Sequence, residues 1–123
     1  MRDLQGRDLL WLYTSFSGRV DRKAYALAGM LLYLVRLFPA YQIISAGGDP
    51  AAEAAWGIIL LLVNGAAILA QVALTAKRFH DFGMSGWFSL VFVIGDIIVF
   101  LGLCLFPGTP GPNRFGNETN SPG

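Results

Sequence analysis

The sequence predicts an all-α membrane protein: three transmembrane helices with an amphipathic interfacial helix at the N-terminus. Three observations carry this. Hydrophobic residues make up 54% of the 123 and charged residues 14%, against about a quarter charged in ordinary soluble domains. Charge this sparse leaves apolar surface that must face something other than water. The chain holds three apolar runs, each near the roughly 20 residues that cross a hydrocarbon layer. None alternates in hydropathy as a barrel strand does. The length suits a single membrane domain, 1–123.

Residues 1–23 form a cytoplasmic arm. Leu9, Leu12, Tyr13 and Phe16 fall at i, i+3, i+4 and i+7, one stripe of a helix, with Trp11 flanking it. Such a helix lies in the headgroup layer with Arg7 and Asp8 on its wet side. Ser17-Gly18 breaks it, and Asp21 is placed to cap the next helix. Arg19, Arg22 and Lys23 read as a basic arm facing anionic lipid, worth about 1 kcal/mol each. Pairing with Asp81 on the same surface is the alternative.

The spans are assigned to 24–44, 56–76 and 87–106. The first is too long for the apolar region of a signal peptide and is read as retained. Residues 107–123, "PGTPGPNRFGNETNSPG", are rich in turn formers and form an irregular tail. Orientation follows from Lys and Arg. The arm carries Arg2, Arg7, Arg19, Arg22 and Lys23, and the loop after span two carries Lys77 and Arg78. The connection "SAGGDPAAEAA" carries none and the tail only Arg114. The positive-inside rule puts the N-terminus and the loop in the cytoplasm and the tail outside.

The loop "AKRFHDFGMSGW" concentrates Lys77, Arg78, His80, Asp81, Ser85 and Trp87 between two oily runs. Capping explains much of it. Cations suit the C-terminal end of a helix, Gly83 can take the left-handed turn that ends it, and Ser85 can cap the next start. Trp87 fits the headgroup level as an anchor.

"SGRVDRKAY", "KRFHDFGMSGW" and "PGTPGPNRFG" stand in this order at the ends of the spans. Together they resemble the small bacterial inner-membrane family known as domain of unknown function 805. Its members look like G-R-x-x-R-x-x-Y-W, R-x-H-D-x-x-x-S-G-W and P-G-T-x-G-x-N-R-[YF]-G at these places. The likeness runs from about Phe16 to Gly116 and covers Pro107, Gly108, Asn113 and Arg114 of the tail. Ala26 stands where a tryptophan often follows the tyrosine, and Phe82 and Met84 replace more polar residues. The resemblance implies the fold and brings no activity with it.

Arg36, Asn64, Gln71 and Asp96 interrupt the spans. A charge at depth costs a few kcal/mol unless paired or solvated. At 1.5 Å per residue, Arg36 and Asn64 lie about 18 Å from the cytoplasmic ends of their spans and Asp96 about 13 Å. All three can therefore meet, as an ion pair with an amide neighbour. Internal docking, contact with a partner subunit and lining of an ion path are the roles open to them. Pro39 is placed to kink span one near Arg36. Ala66, Ala70 and Ala73, with Gly95 and Gly102, offer small faces for close helix packing.

No catalytic residue is assigned. One histidine and one adjacent aspartate are too few for a zinc site, and no cofactor or nucleotide fingerprint is present. Cys104 lies alone in an apolar run, and a net charge of +1 gives no reason to expect nucleic acid. The expected role is non-catalytic: an accessory or interaction protein binding lipid, a larger membrane complex or copies of itself. A small oligomeric channel using Arg36, Asn64 and Asp96 comes next, and an enzyme or sensor built on His80-Asp81 third.

Overall fold

The computed structural model describes residues 6–120. Arg2, counted above, lies outside them, as does the side chain of Arg7. The described residues fold into four α-helices and a short 3₁₀ helix. Helix α1 (Gly6–Thr14) ends before the predicted Ser17-Gly18 break and leaves Phe16 of the stripe outside it; Gly18 then takes φ 94°. Helix α2 (Arg22–Ser45) starts where expected: the Asp21 carboxylate accepts from Ala24 N at 2.8 Å. It runs on through Pro39 without a break in helix assignment. Gly47 and Gly48, both at positive φ, turn the chain, and Pro50 occupies the first turn of α3 (Pro50–Asp81). These two helices pass the length and hydropathy test for crossing a membrane.

At 32 residues α3 is about 48 Å long, which exceeds a hydrocarbon core of about 30 Å. Its last three turns are also its most buried: Ala73 through Arg78 are all covered. The hydrophobic core sits at this end of the bundle, formed by Leu12, Val20, Tyr25, Leu74, Phe100 and Leu103 among others. A Cβ on Gly29 would fall inside the Phe100 ring, so the glycine lets α4 approach α2 closely. Elsewhere the outer faces are oily, with Leu34, Leu61 and Ile98 largely exposed. Exposed apolar surface on this scale marks a membrane or protein contact.

The arm departs in part from its predicted stripe. Leu12 is buried and Tyr13 partly so, against α2 and α3, while Leu9 and Phe16 are exposed and Asp8, expected on the wet side, is buried. Protein therefore covers much of the face that was expected to meet lipid.

The third apolar run differs most from expectation. A single straight helix over 87–106 is not what forms. The 3₁₀ helix (Gly86–Leu90) leads into α4 (Val91–Leu105), whose helical geometry breaks at Gly95 with φ −123° and ψ 46°. Gly86 sits against His80 and Ala76 at the end of α3. Asp96 then reaches Tyr33 and Arg36, Phe100 meets Gly29, and Leu105 O accepts from Arg22 at 3.2 Å. After Gly95 the chain thus descends α2 toward its N-terminus. Both ends of the run lie at the same end of the bundle, and the tail packs on the loop it was expected to oppose. The cause is local: Arg78 holds the Leu103 and Phe106 carbonyls, and Arg19 holds the tail.

With Cys104 replaced by serine, cysteines at Met84, Glu118 and Asp49 test this arrangement through a membrane-impermeant maleimide. Positions 84 and 118 are expected to label from one side of the membrane and position 49 from the other. Labelling of 84 and 118 from opposite sides would restore the straight span.

Candidate functional site

The last turn of α3 gathers the three sequence motifs into one network. Asp81 is 3% exposed and divides its carboxylate between two arginines. Oδ1 takes Arg19 Nε at 3.0 Å and Nη2 at 2.9 Å, and Oδ2 takes Arg78 Nη1 at 2.9 Å. Burying two guanidinium groups beside one carboxylate leaves a surplus positive charge, which the backbone offsets. Arg19 donates to the carbonyls of Gly111 (2.7 Å), Gly116 (3.1 Å) and Thr109 (2.8 Å). Four of the five N–H donors of this guanidinium fork thereby have a hydrogen-bonded oxygen, and Nη2 adds the ion-pair contact with Asp81. Arg78 donates to the carbonyls of Leu103 (2.9 Å), Val20 (3.4 Å) and Phe106. A lysine at either place could not serve so many fixed directions.

Glycine is required at position 108, because a Cβ there would overlap the Asp81 carboxylate. Pro107 holds Phe106 in extended backbone at the end of α4. Thr109 N then donates to Asp81 O at 2.6 Å. Asn113 closes the tail, with Nδ2 on His80 O at 2.8 Å and Oδ1 accepting from Phe115 N at 2.9 Å. His80 Nδ1 lies 2.8 Å from the Gly18 carbonyl, which can only accept, so Nδ1 carries the proton. The Phe115 ring stacks on the imidazole at 4.1 Å, and the Arg114 guanidinium lies 4.6 Å over that ring. Lys77 Nζ ties down α1 through the carbonyls of Trp11 (3.2 Å) and Ser15. Tyr13 donates to Ala28 O at 3.0 Å, and burial pushes its phenol pKa up.

Of the predicted basic arm, Arg19 is a buried member of this network and does not face lipid. Arg22 and Lys23 are exposed at its rim. Ser85 accepts from Trp87 N at 3.4 Å, and Trp87 is 81% exposed.

A second cluster lies deeper. Arg36 Nε donates to Asn64 Oδ1 at 2.8 Å, and Nη1 meets Asp96 Oδ2 at 3.2 Å. The structure thus brings together the three residues that depth counting placed at one level. Tyr33 completes the group by donating to Asp96, and it was missed. Its position three residues before Arg36 on one helix face was the available signal. Tyr25 and Thr75, 3.0 Å apart between α2 and α3, were also missed, and Gln71 is buried one turn along from Thr75. Among the described residues no group of His, Cys, Asp and Glu could hold a metal ion.

Motifs this specific, meeting in one network, define a membrane family by its folding lock. The chain belongs to the family described as protein of unknown function (DUF805), which matches residues 13–117. Among its relatives is inner membrane protein YhaI of Escherichia coli K12, 30% identical over 116 residues, covering 86% of each chain. Inner membrane protein YhaH of the same strain is 32% identical over 116 residues, covering 86% of this chain and 88% of the relative. No solved structure matches.

Removing the shared carboxylate tests the network. Asp81→Ala strands two buried guanidinium groups, and a loss of about 3–5 kcal/mol is expected from breaking buried pairs of this kind. The readout is the unfolding midpoint in detergent, set against Glu118→Ala on the exposed tail, which is expected to leave it unchanged.

Proposed function

We propose that this protein is a non-catalytic accessory subunit of the inner membrane. It assembles within the bilayer, with a larger membrane complex or a second copy, through the face that carries Arg36, Asn64 and Asp96. The carrying observation is the exposure of the ion pair: the Arg36 side chain is 20% exposed and that of Asp96 35%. Arg36 lies 14 residues into α2, about 21 Å from its start, a depth where hydrocarbon solvates no charge. Leu37, Ile97 and Ile98 around it are exposed and apolar. A polar group open on such a face calls for a covering helix, because intramembrane charges face bundle interiors or water-filled cavities.

Two further points support the reading. Of the residues that would serve an enzyme, Asp81 is taken up by two arginines and His80 Nδ1 by the Gly18 carbonyl, which puts both to use in the fold. The contacts of the tail also bring Arg114 to the end that holds Arg19, Arg22, Lys23, Lys77 and Arg78, while the turn between α2 and α3 carries no cation. That asymmetry supports a reading in which the arm, loop and tail share the cytoplasmic side. α2 and α3 then span, and the third run enters and leaves on the cytoplasmic side.

The test is the native mass of the protein gently extracted from its membranes. Arg36→Leu and Asp96→Leu each leave a lone charge costing about 2.5–3.5 kcal/mol at the bilayer centre. Each is expected to reduce the assembled form severalfold, and the double variant to recover part of it. An assembled mass unchanged by either single variant would sink the proposal.

A further inference from the structure

A cavity of about 540 Å³ opens beside the network, between the end of α3 and the 3₁₀ helix. It falls in the size range of small-molecule sites, about 300–1,000 Å³. Its wall is apolar along Val72, Ala76 and Leu90, and polar where His80, Ser85 and Ser89 meet it. It is independent of the Arg36–Asp96 face.

The polar end is built and left open. His80 is more than nine-tenths buried, and the Gly18 carbonyl fixes its proton on Nδ1. Nε2 therefore carries a lone pair. It points at Gly86 on the cavity wall, since a Cβ there would come within 2.8 Å of it, and it makes no hydrogen bond among the described residues. The nitrogen opens into the cavity as an unused acceptor, so the site suits a ligand carrying O–H or N–H. The lining residues include no carboxylate; Arg114 is not one of them, but its exposed guanidinium lies 4.6 Å over the ring of Phe115, which is, and so supplies a cationic rim next to the cavity. At the mouth, Trp87 and Phe16 are exposed, as aromatic residues are at the headgroup boundary.

A water cluster would suit the imidazole and leave the apolar wall wet. A free anion would use the rim and leave that wall empty. Apolar wall, acceptor and cationic rim together match one molecule available at that depth. We propose that this cavity is a phospholipid site: it takes one acyl chain along Val72 and Leu90 and sets the hydroxyl of an anionic headgroup at His80 Nε2, with the phosphate reaching past the edge of Phe115 toward Arg114.

The experiment offers delipidated full-length protein equal amounts of phosphatidylglycerol and phosphatidylcholine with identical chains. Retained lipid is read by native mass spectrometry. Phosphatidylcholine has neither a hydrogen-bond donor in its headgroup nor a net negative charge. One phosphatidylglycerol per chain is expected, favoured at least tenfold. Val72→Phe, which fills the apolar end, is expected to lower its retention at least tenfold. Arg114→Gln, at an exposed position, is expected to reduce the preference for the anionic lipid with the helical spectrum unchanged. Ile98→Phe, on the outer face of α4, is the control and should change nothing. Where Val72→Phe fails to fold, Leu90→Trp at a more exposed lining position makes the same test. Equal retention of the two lipids by the unmodified protein overturns the proposal. So does undiminished retention by a folded cavity-filling variant, or displacement of the bound lipid by inorganic phosphate alone.

Discussion

One carboxylate holds this structure together. Asp81 gives one oxygen to Arg19 and the other to Arg78, and all three side chains are almost wholly buried. Charges removed from water on this scale are tolerated only with close geometry and every remaining donor satisfied. The chain meets that condition with backbone carbonyls from three segments: the linker before α2, the end of α4 and the tail. The same turn of α3 adds Lys77, which fastens α1, and His80, which fastens Gly18. Five consecutive residues thus position almost everything at one end of the bundle.

Much of this was legible in the sequence. Hydropathy marked α2 and α3, and the start of α2 at Asp21, the end of α3 at Gly83 and the cap at Ser85 follow from ordinary capping chemistry. Counting residues inward brought Arg36, Asn64 and Asp96 to one level because helix rise is nearly constant. The reversal of the third run was not legible. Hydropathy records how many apolar residues a run has, and not whether the run goes through or returns. Gly95 breaks α4 and Gly102 does not; the adjacent Asp96 sets Gly95 apart, but a charge beside a glycine does not by itself announce a break. The partners of Arg19 and Arg78 were hidden for another reason: their acceptors are mostly main-chain carbonyls, which every residue carries. A basic cluster beside a membrane therefore looks like a lipid contact until the fold supplies the oxygens.

The two polar clusters obey different physics. At the α3 end, polar groups are covered and the core packs around them, so the network acts as structure. Around Arg36 the partners are fewer and the pair stays partly open. Helix packing in lipid gains little from apolar burial, because lipid is as oily as leucine. Close approach and polar contacts must supply the rest. Gly29 under Phe100 is one such approach, and the Tyr33–Asp96 bond is one such contact. The break at Gly95 lies next to both Asp96 and its partners, in keeping with the rule that irregular backbone at depth persists where protein covers it.

The Arg19 fork has a consequence in time. Its acceptors at Thr109, Gly111 and Gly116 lie 90 to 97 residues further along the chain. Synthesis delivers Arg19 early and these carbonyls among the last, at about 5–20 residues per second. Asp81 and Arg78 are three residues apart and can pair as soon as they emerge. For the seconds between, Arg19 has at most the carboxylate and lacks the oxygens that fill its other donors. A chain cut short before residue 109 leaves a buried arginine short of partners. This end of the fold therefore closes only once residues 109–116 have joined it, so a segment made some 90 residues later decides when the arginine is settled.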